Sequence, residues 1–117
     1  MKNKAFLARL TFALHGITAA LQYEKSFRSQ VIIAIATLAA LGILQPDLIW
    51  WALIGAMICL VLGAELINTS LEHLADHLHP EQHPKIKLVK DCAAASVLVF
   101  SFGAVWVAIL AVFSVMQ

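Results

Sequence analysis

Four polar residues recur near the middle of the chain at a spacing that places them along one face of a helix. They are Glu65, Asn68, Glu72 and Asp76, separated by three, four and four positions, and a helix turns by about 100° per residue. Three carboxylates on one helix face repel each other, and apolar surroundings make their charges more costly still. The stripe therefore requires a cationic partner, a proton or a metal ion.

Carboxylate and amide oxygens suit a hard cation such as Mg²⁺, which usually binds phosphates at the same time. Glu65 lies closest to the long apolar run that precedes the stripe. It is therefore a candidate general base for a group held in that apolar environment. The alternative is that Glu65 is solvated at an interface and that the other three residues belong to an ordinary helix extension.

Three lysines, Lys85, Lys87 and Lys90, follow the stripe. Acidic metal ligands beside cations are what phosphoryl transfer requires, because the metal bridges the phosphates and the cations offset their charge. The sequence contains no Walker A motif and no glycine-rich phosphate loop, so a nucleotide would have to be held in another way.

Four histidines in the same segment raise the alternative of a zinc site. His73 and His77 are four positions apart, and His79 and His83 follow them. No cysteine lies near these histidines, and their spacing fits no established zinc pattern. Interfacial or solvated histidines are therefore the favoured interpretation.

The composition indicates that lipid surrounds the helices that must position these residues. Of 117 residues, 62% are hydrophobic and 13% are charged, against about half and about a quarter in soluble domains. So short a chain cannot bury that many apolar side chains in one core, which excludes a soluble monomeric domain. We predict an all-α membrane protein with one domain, residues 1–117, and transmembrane helices at about 29–46, 48–66 and 92–115.

The distribution of basic residues orients these helices in the membrane. Every Lys and Arg precedes the first predicted span or lies between the second and third, and none lies in the 45–47 link or near the C-terminus. The positive-inside rule therefore places the N-terminus and the acidic stripe in the cytoplasm and the C-terminus outside. Residues 4–27 have apolar side chains at near-helical spacing, interrupted by Arg9 and Gly16. They predict an amphipathic helix on the cytoplasmic surface of the bilayer.

Small residues predict close helix packing and association between chains. Gly55 and Gly63 lie in the second predicted span, and Gly103 and several alanines lie in the third. Small side chains let transmembrane helices approach closely. Because three helices form little core of their own, we expect an oligomer.

The segment Glu65-Leu66-Ile67-Asn68-Thr69-Ser70-Leu71-Glu72 resembles the signature of the small prokaryotic diacylglycerol kinases, a family that also includes undecaprenol kinases. Asp76 falls where the family has an aspartate. Two further motifs are similar to those of the family: Glu24-x-x-Phe27-Arg28, and His83-Pro84 followed by Lys90-Asp91. The resemblance covers roughly residues 9–110.

The resemblance implies a homotrimeric bundle in the bacterial inner membrane, with composite sites between subunits that use Mg-ATP to phosphorylate a lipid alcohol at the cytoplasmic interface. It implies diacylglycerol as the first candidate acceptor, giving phosphatidic acid, and undecaprenol as the alternative. It further implies that Glu65 is the catalytic base and that Glu24 and Glu72 bind Mg²⁺. The positions it implies at or near the nucleotide are Glu24, Asn68, Glu72, Asp76, Glu81, His83, Lys90 and Asp91. The positions it implies for the lipid are Phe27, Arg28 and Glu65.

Two other functions compete with a lipid kinase. A small proton-coupled transporter would have four spans and a membrane glutamate in the first span, whereas the first span here has no carboxylate. A non-catalytic membrane subunit would explain the small residues but not the polar stripe. Without the resemblance, Glu24 and Arg28 would be an ion pair on a surface helix. Lys85 and Lys87 would likewise only attract anionic lipid.

Overall fold

Four helices make up the part of the chain that the structure describes, which is residue 3 and residues 5–117. In this computed structural model they are α1 (Phe6–Tyr23), α2 (Lys25–Leu44), α3 (Leu48–Leu78) and α4 (Pro84–Met116). The last three are each long and apolar enough to cross a membrane. The prediction of an all-α protein with three such helices is confirmed. Lys2 and Lys4, at the start of the predicted surface helix, lie outside the described residues.

Helix α1 corresponds to the predicted surface helix. It ends at Tyr23 rather than at residue 27, because Glu24 has an extended backbone with φ −110° and ψ 106°. Ala20 is its one buried residue, and apolar side chains such as Phe6 and Leu7 are exposed. Since the other described helices leave those side chains uncovered, they are available to a lipid surface. The position of α1 on the cytoplasmic side stays a prediction.

Helices α3 and α4 are longer than the apolar stretches predicted for them. α3 extends to Leu78, beyond the predicted span that ends near residue 66, and α4 begins at Pro84, before the predicted span that starts near residue 92. Polar residues do not end a helix, whereas proline suits the first helical position because its missing N–H needs no partner there. The extra turns carry the polar stripe beyond the apolar stretch, and the depth of each helix in lipid stays a prediction.

Helices α2 and α3 form an antiparallel hairpin through a tight link. Gln45 has φ 51° and ψ 58°, which is the left-handed conformation, and its N–H donates to the Leu41 carbonyl at 2.8 Å. Pro46 follows, and a proline disfavours helical geometry in the residue before it. The left-handed residue and the proline together end α2 within one turn of the start of α3.

The best-packed region lies at the hairpin end of the bundle, away from the polar stripe. Leu41, Ile54 and Ala111 come from three different helices, and each is at most 3% exposed. Further along the pair of helices, α4 approaches α3 so closely that a Cβ added to Gly103 would lie 2.8 Å from Met57 Cε. Small residues permit such an approach. The hairpin end is therefore the rigid base from which α3 and α4 extend toward the stripe.

Candidate active site

The apolar end of the acidic stripe is withdrawn from solvent. Glu65 is 4% exposed and is the one buried charged residue in the described part of the chain. The side chain of Gln30, from α2, faces it. One turn further along α3, Asn68 Oδ1 is buried without a hydrogen-bond partner. Because buried polar atoms are normally paired, Asn68 presents an oxygen that is free to accept a ligand.

Glu24 reaches the stripe from the junction between α1 and α2. Its backbone N–H donates to the Ala20 carbonyl at 2.9 Å, and its own carbonyl accepts from the Arg28 N–H at 3.1 Å. Its carboxylate Oε1 accepts a hydrogen bond from His73 Nε2 at 2.8 Å. This hydrogen bond joins Glu24 to a residue of α3 that lies 49 positions away in sequence.

The three glutamates of the predicted site lie in one region. The charges of Glu72 and Glu24 both act on Glu65, and those of Glu24, Glu72 and Asp76 act on His73. The hydrogen bond that His73 donates to the Glu24 carboxylate raises the pKa of His73, which lies beyond the apolar stretch of α3. The fold therefore gathers carboxylates that the sequence keeps about forty positions apart.

Arg28 and Phe27, which are predicted to contact lipid, contact other parts of this chain. Arg28 Nη1 donates to the carbonyls of Leu21 at 3.1 Å and Gln22 at 2.9 Å, so the guanidinium caps the C-terminal end of α1. A cation at that end also complements the helix dipole. Phe27 is 3% exposed, so its ring lies in the interior rather than beside an open cavity. Their lipid roles stay predictions from the resemblance.

Two of the predicted nucleotide residues, Glu81 and His83, lie in the connection from α3 to α4, and Lys90 and Asp91 follow in α4. Lys90 Nζ forms an ion pair with Asp76 across the two helices. Within α4, Lys87 Nζ lies 2.6 Å from Asp91 Oδ2, and the hydrogen bond and charge of Asp91 raise the pKa of Lys87, which precedes the apolar stretch. The His83 side chain caps the N-terminus of α4, where its Nδ1 accepts a hydrogen bond from the Lys85 N–H at 3.1 Å.

Two open cavities flank this arrangement. One, of about 610 Å³, lies at the α3–α4 connection and is lined by polar residues including Glu81, His83 and Lys90. The other, of about 550 Å³, lies between α1 and α3. Its walls are mostly apolar, and Glu24 and His73 border it. Polar and charged residues thus predominate in the lining of one cavity, and apolar residues predominate in the lining of the other.

Three of the four histidines, His73, His79 and His83, form hydrogen bonds within the chain. In the described residues, no group of three or more His, Cys, Asp or Glu is arranged to hold a metal ion by itself. His79 Nδ1 donates to the Glu81 carbonyl at 2.8 Å, and its ring meets the His83 ring edge to face at 5.6 Å between centroids. These contacts shape the connection between the helices.

Two neighbours of the site were not predicted from the sequence. The sequence suggests His73 only as a possible zinc ligand, and it gives no role to Gln30. Neither has a local signal, because each acts on a residue more than thirty positions away. The predicted residues Glu24, Glu65, Glu72, Asp76 and Lys90 do come together around α3.

Comparison with known proteins identifies the family. The family model described as prokaryotic diacylglycerol kinase matches residues 11–112. A diacylglycerol kinase from a Synechocystis species is 32% identical over 85% of this chain, and the match spans 57% of that relative's length. The undecaprenol kinase of Bacillus subtilis is 31% identical over 82% of this chain and 78% of its own. A diacylglycerol kinase of Helicobacter pylori is 32% identical over 82% and 75%. The chain belongs to the prokaryotic diacylglycerol kinase family.

Proposed function

We propose that this chain transfers the γ-phosphate of ATP to the hydroxyl group of a membrane lipid, with diacylglycerol as the first candidate acceptor. The observation that carries the proposal is the buried Glu65 in a cluster of carboxylates, in a chain that belongs to a lipid kinase family. Membership of a kinase family implies ATP as co-substrate. The three apolar helices provide the means of reaching a lipid within the bilayer.

Glu65 is the proposed general base. The lipid hydroxyl oxygen attacks the γ-phosphorus, the bond from that phosphorus to the bridging oxygen breaks, and ADP leaves. The hydroxyl proton passes to the Glu65 carboxylate, and such proton transfer contributes typically 10²–10⁴-fold to a rate. Burial of Glu65 keeps bulk water from competing with the lipid for the same base.

Glu24 and Glu72 are the proposed Mg²⁺ ligands. Mg²⁺ is usually held by one or two carboxylates plus substrate phosphates, rather than by an all-protein cage. Two carboxylates without a third protein ligand fit that pattern, and the unpartnered Asn68 Oδ1 supplies a further hard oxygen nearby. When bound, the ion would offset negative charge on the β- and γ-phosphates.

Lys90 is the proposed cation for the transferred group. Its side chain is 37% exposed, is paired with Asp76 and lines the cavity at the α3–α4 connection. A positioned cation stabilises charge that develops in the transition state. Three more residues are proposed to border the nucleotide on the same side: Glu81, His83 and Asp91.

The apolar cavity between α1 and α3 is the proposed approach for the lipid. Its walls include Ala13, Gly16 and Ile17 from α1, and Leu66, next to Glu65, from α3. Small side chains on α1 leave the space that an acyl chain or an isoprenoid would fill. Undecaprenol is the second candidate acceptor, because the relative named undecaprenol kinase matches this chain about as well as the diacylglycerol kinases do.

We also propose a homotrimer in the bacterial inner membrane, with the N-terminus and the site in the cytoplasm. Its support is the excess of exposed apolar side chains and the location of the basic residues on one side of the predicted topology. Lipid and neighbouring subunits would cover the faces that the isolated chain leaves open.

The test is a transfer assay with purified protein, radiolabelled ATP, and diacylglycerol and undecaprenol at equal mole fractions in matched micelles. We expect labelled phosphatidic acid as the main product, with Glu65→Gln lowering turnover by about 10²–10⁴-fold. Asp47→Asn, which removes an exposed carboxylate from the 45–47 link, is the matched control and should turn over normally. A normal rate for Glu65→Gln would contradict the proposed base, and a labelled isoprenoid would reassign the acceptor.

A further inference from the structure

We propose that His73 is a positioning residue that holds the Glu24 carboxylate in the orientation needed to bind the divalent cation. The proposal rests on the proposed function, in which Glu24 is a metal ligand. It goes further by assigning to a residue of α3 the task of fixing a ligand that arrives from another part of the chain.

Glu24 lies at a point where local structure does little to restrain its side chain. It is the junction residue between α1 and α2, and its backbone is extended rather than helical. The helix on its N-terminal side buries one residue, Ala20, against the rest of the chain. A carboxylate on such a junction would lose conformational freedom on binding a cation, which weakens binding unless another contact restrains it beforehand.

His73 supplies that restraint from a well-anchored helix. Its Nε2 lies 2.8 Å from Glu24 Oε1, so one carboxylate oxygen is held and Oε2 stays available to a cation. Because His73 directly follows Glu72 on α3, the contact also fixes the separation of the two proposed ligands. Within residues 5–117, it is the one side-chain hydrogen bond that joins the α1–α2 junction to α3.

Hydrogen bonds of this kind are a recurring part of metal sites. Carboxylates that bind metals are themselves hydrogen-bonded, and removing such an outer partner typically lowers metal affinity or activity by about 10–100-fold. The His73 ring is 71% exposed and Glu24 is 24% exposed, so burial alone does not hold the pair together. Orientation of Glu24 therefore depends on this donor.

The experiment measures Mn²⁺ binding to the purified full-length protein without ATP or lipid, from the loss of the free Mn²⁺ signal in electron paramagnetic resonance. We expect His73→Ala to weaken Mn²⁺ affinity by about 10–100-fold. His73→Gln keeps an N–H donor on a side chain of similar reach and should stay within about threefold of wild type. His77→Ala, one turn further along α3 on an exposed position, is the matched control and should bind as wild type does.

Two further measurements separate positioning from general destabilisation. The thermal unfolding midpoint without metal should be the same for His73→Ala and His77→Ala, and in steady-state assays the Mg²⁺ needed for half-maximal rate should rise for His73→Ala alone. Unchanged Mn²⁺ affinity in His73→Ala, or equal losses in the Ala and Gln variants, would overturn the positioning role. Glu24→Gln tests whether Glu24 is a metal ligand at all. Normal Mn²⁺ affinity in that variant would overturn the ligand assignment rather than the role of His73.

Discussion

Burial divides the polar stripe of α3 into two kinds of residue. Glu65 is 4% exposed and Asn68 Oδ1 is buried without a partner, whereas Asp76 is exposed and paired with Lys90. An unsatisfied buried polar atom costs about 1–3 kcal/mol. Such a cost is typical of functional sites, where stability is given up for a group that a ligand will satisfy. The stripe therefore changes from buried to solvent-facing along its length.

Replacing Glu72 by Gln tests the metal role of a single carboxylate. The amide oxygen is neutral and binds Mg²⁺ less tightly, so the Mg²⁺ concentration for half-maximal rate should rise about tenfold or more, equivalent to about 1.4 kcal/mol. The measurement is the initial rate as a function of Mg²⁺ at saturating ATP, with Asp47→Asn as control. A Mg²⁺ curve that does not move would remove Glu72 from the ligand set.

Lys90→Met tests whether that ammonium group stabilises the transferred phosphate. We expect kcat to fall by about 10²–10³-fold, the usual cost of removing one group that stabilises developing charge. Lys85→Met, on the first turn of the same helix, removes an equal charge and should change kcat by less than about threefold, since exposed charges contribute little. Equal losses in the two variants would indicate a general electrostatic effect and contradict a specific role for Lys90.

Among individual residues, the sequence predicts those that helical periodicity or a motif resemblance identifies. The spacing of Glu65, Asn68, Glu72 and Asp76 predicts a shared helix face, which requires no tertiary structure. Glu24 enters the site only through the resemblance, because its position depends on how α1 and α2 meet α3. No feature of the sequence predicts the contact between Glu24 and His73, because the distance between two side chains 49 positions apart is set by packing.

The ends of the helices place the site and determine how firmly it is held. Glu24 separates α1 from α2, His83 caps the start of α4, and Gln45 closes the hairpin at the opposite end. The first two ends carry predicted site residues, whereas the third is remote from the chemistry. A substitution at Gln45 should therefore change stability without changing the reaction.

Gln45→Gly should stabilise the protein. A residue with a Cβ in the left-handed conformation costs about 1–2 kcal/mol, which glycine avoids, and glycine gives back about 0.5–1 kcal/mol as lost chain entropy. We expect a net gain of about 0.5–1 kcal/mol, seen as a higher thermal unfolding midpoint in detergent with unchanged kcat. Gln45→Ala retains the Cβ and should bring no gain. If Gln45→Gly and Gln45→Ala have the same thermal unfolding midpoint, the left-handed conformation of residue 45 is not a source of strain.

Helix existence was predictable at this scale, but helix ends were less so. Apolar length identified α2, α3 and α4, because a span needs about 20 apolar residues. The same criterion delimits only the apolar stretch, residues 48–66, whereas the spacing of the polar stripe predicts a helix that continues at least to Asp76. The helix continues to Leu78 because backbone bonding is indifferent to the polarity of the side chains.

The whole chain exposes more apolar surface than a soluble monomer could. Large side chains such as Phe102 and Trp106 on α4 are 68% and 67% exposed. α1 packs only lightly on the other helices, and the tight packing is confined to the hairpin end and the α3–α4 pair. Lipid and other copies of the chain are the partners that these faces suit.

Mixing two inactive variants tests whether sites are shared between subunits. Glu65→Gln and Lys90→Met would each be inactive alone. If a site takes Glu65 from one subunit and Lys90 from its neighbour, random mixing in a cyclic trimer leaves about a quarter of the sites intact. We therefore expect about a quarter of wild-type activity after co-reconstitution of the two in equal amounts. Activity no higher than the sum of the separate variants would show that each chain builds its own site.

The two cavities on either side of the carboxylates have a consequence for the order of events. One is polar and lies at the α3–α4 connection, and the other is apolar and lies between α1 and α3. If the nucleotide enters from water through the first cavity and the lipid from the bilayer through the second, the two substrates reach the candidate site by separate routes. Neither substrate then has to wait for the other, and each product can leave by the route that its precursor used. Turnover should follow a random sequential scheme rather than a compulsory order.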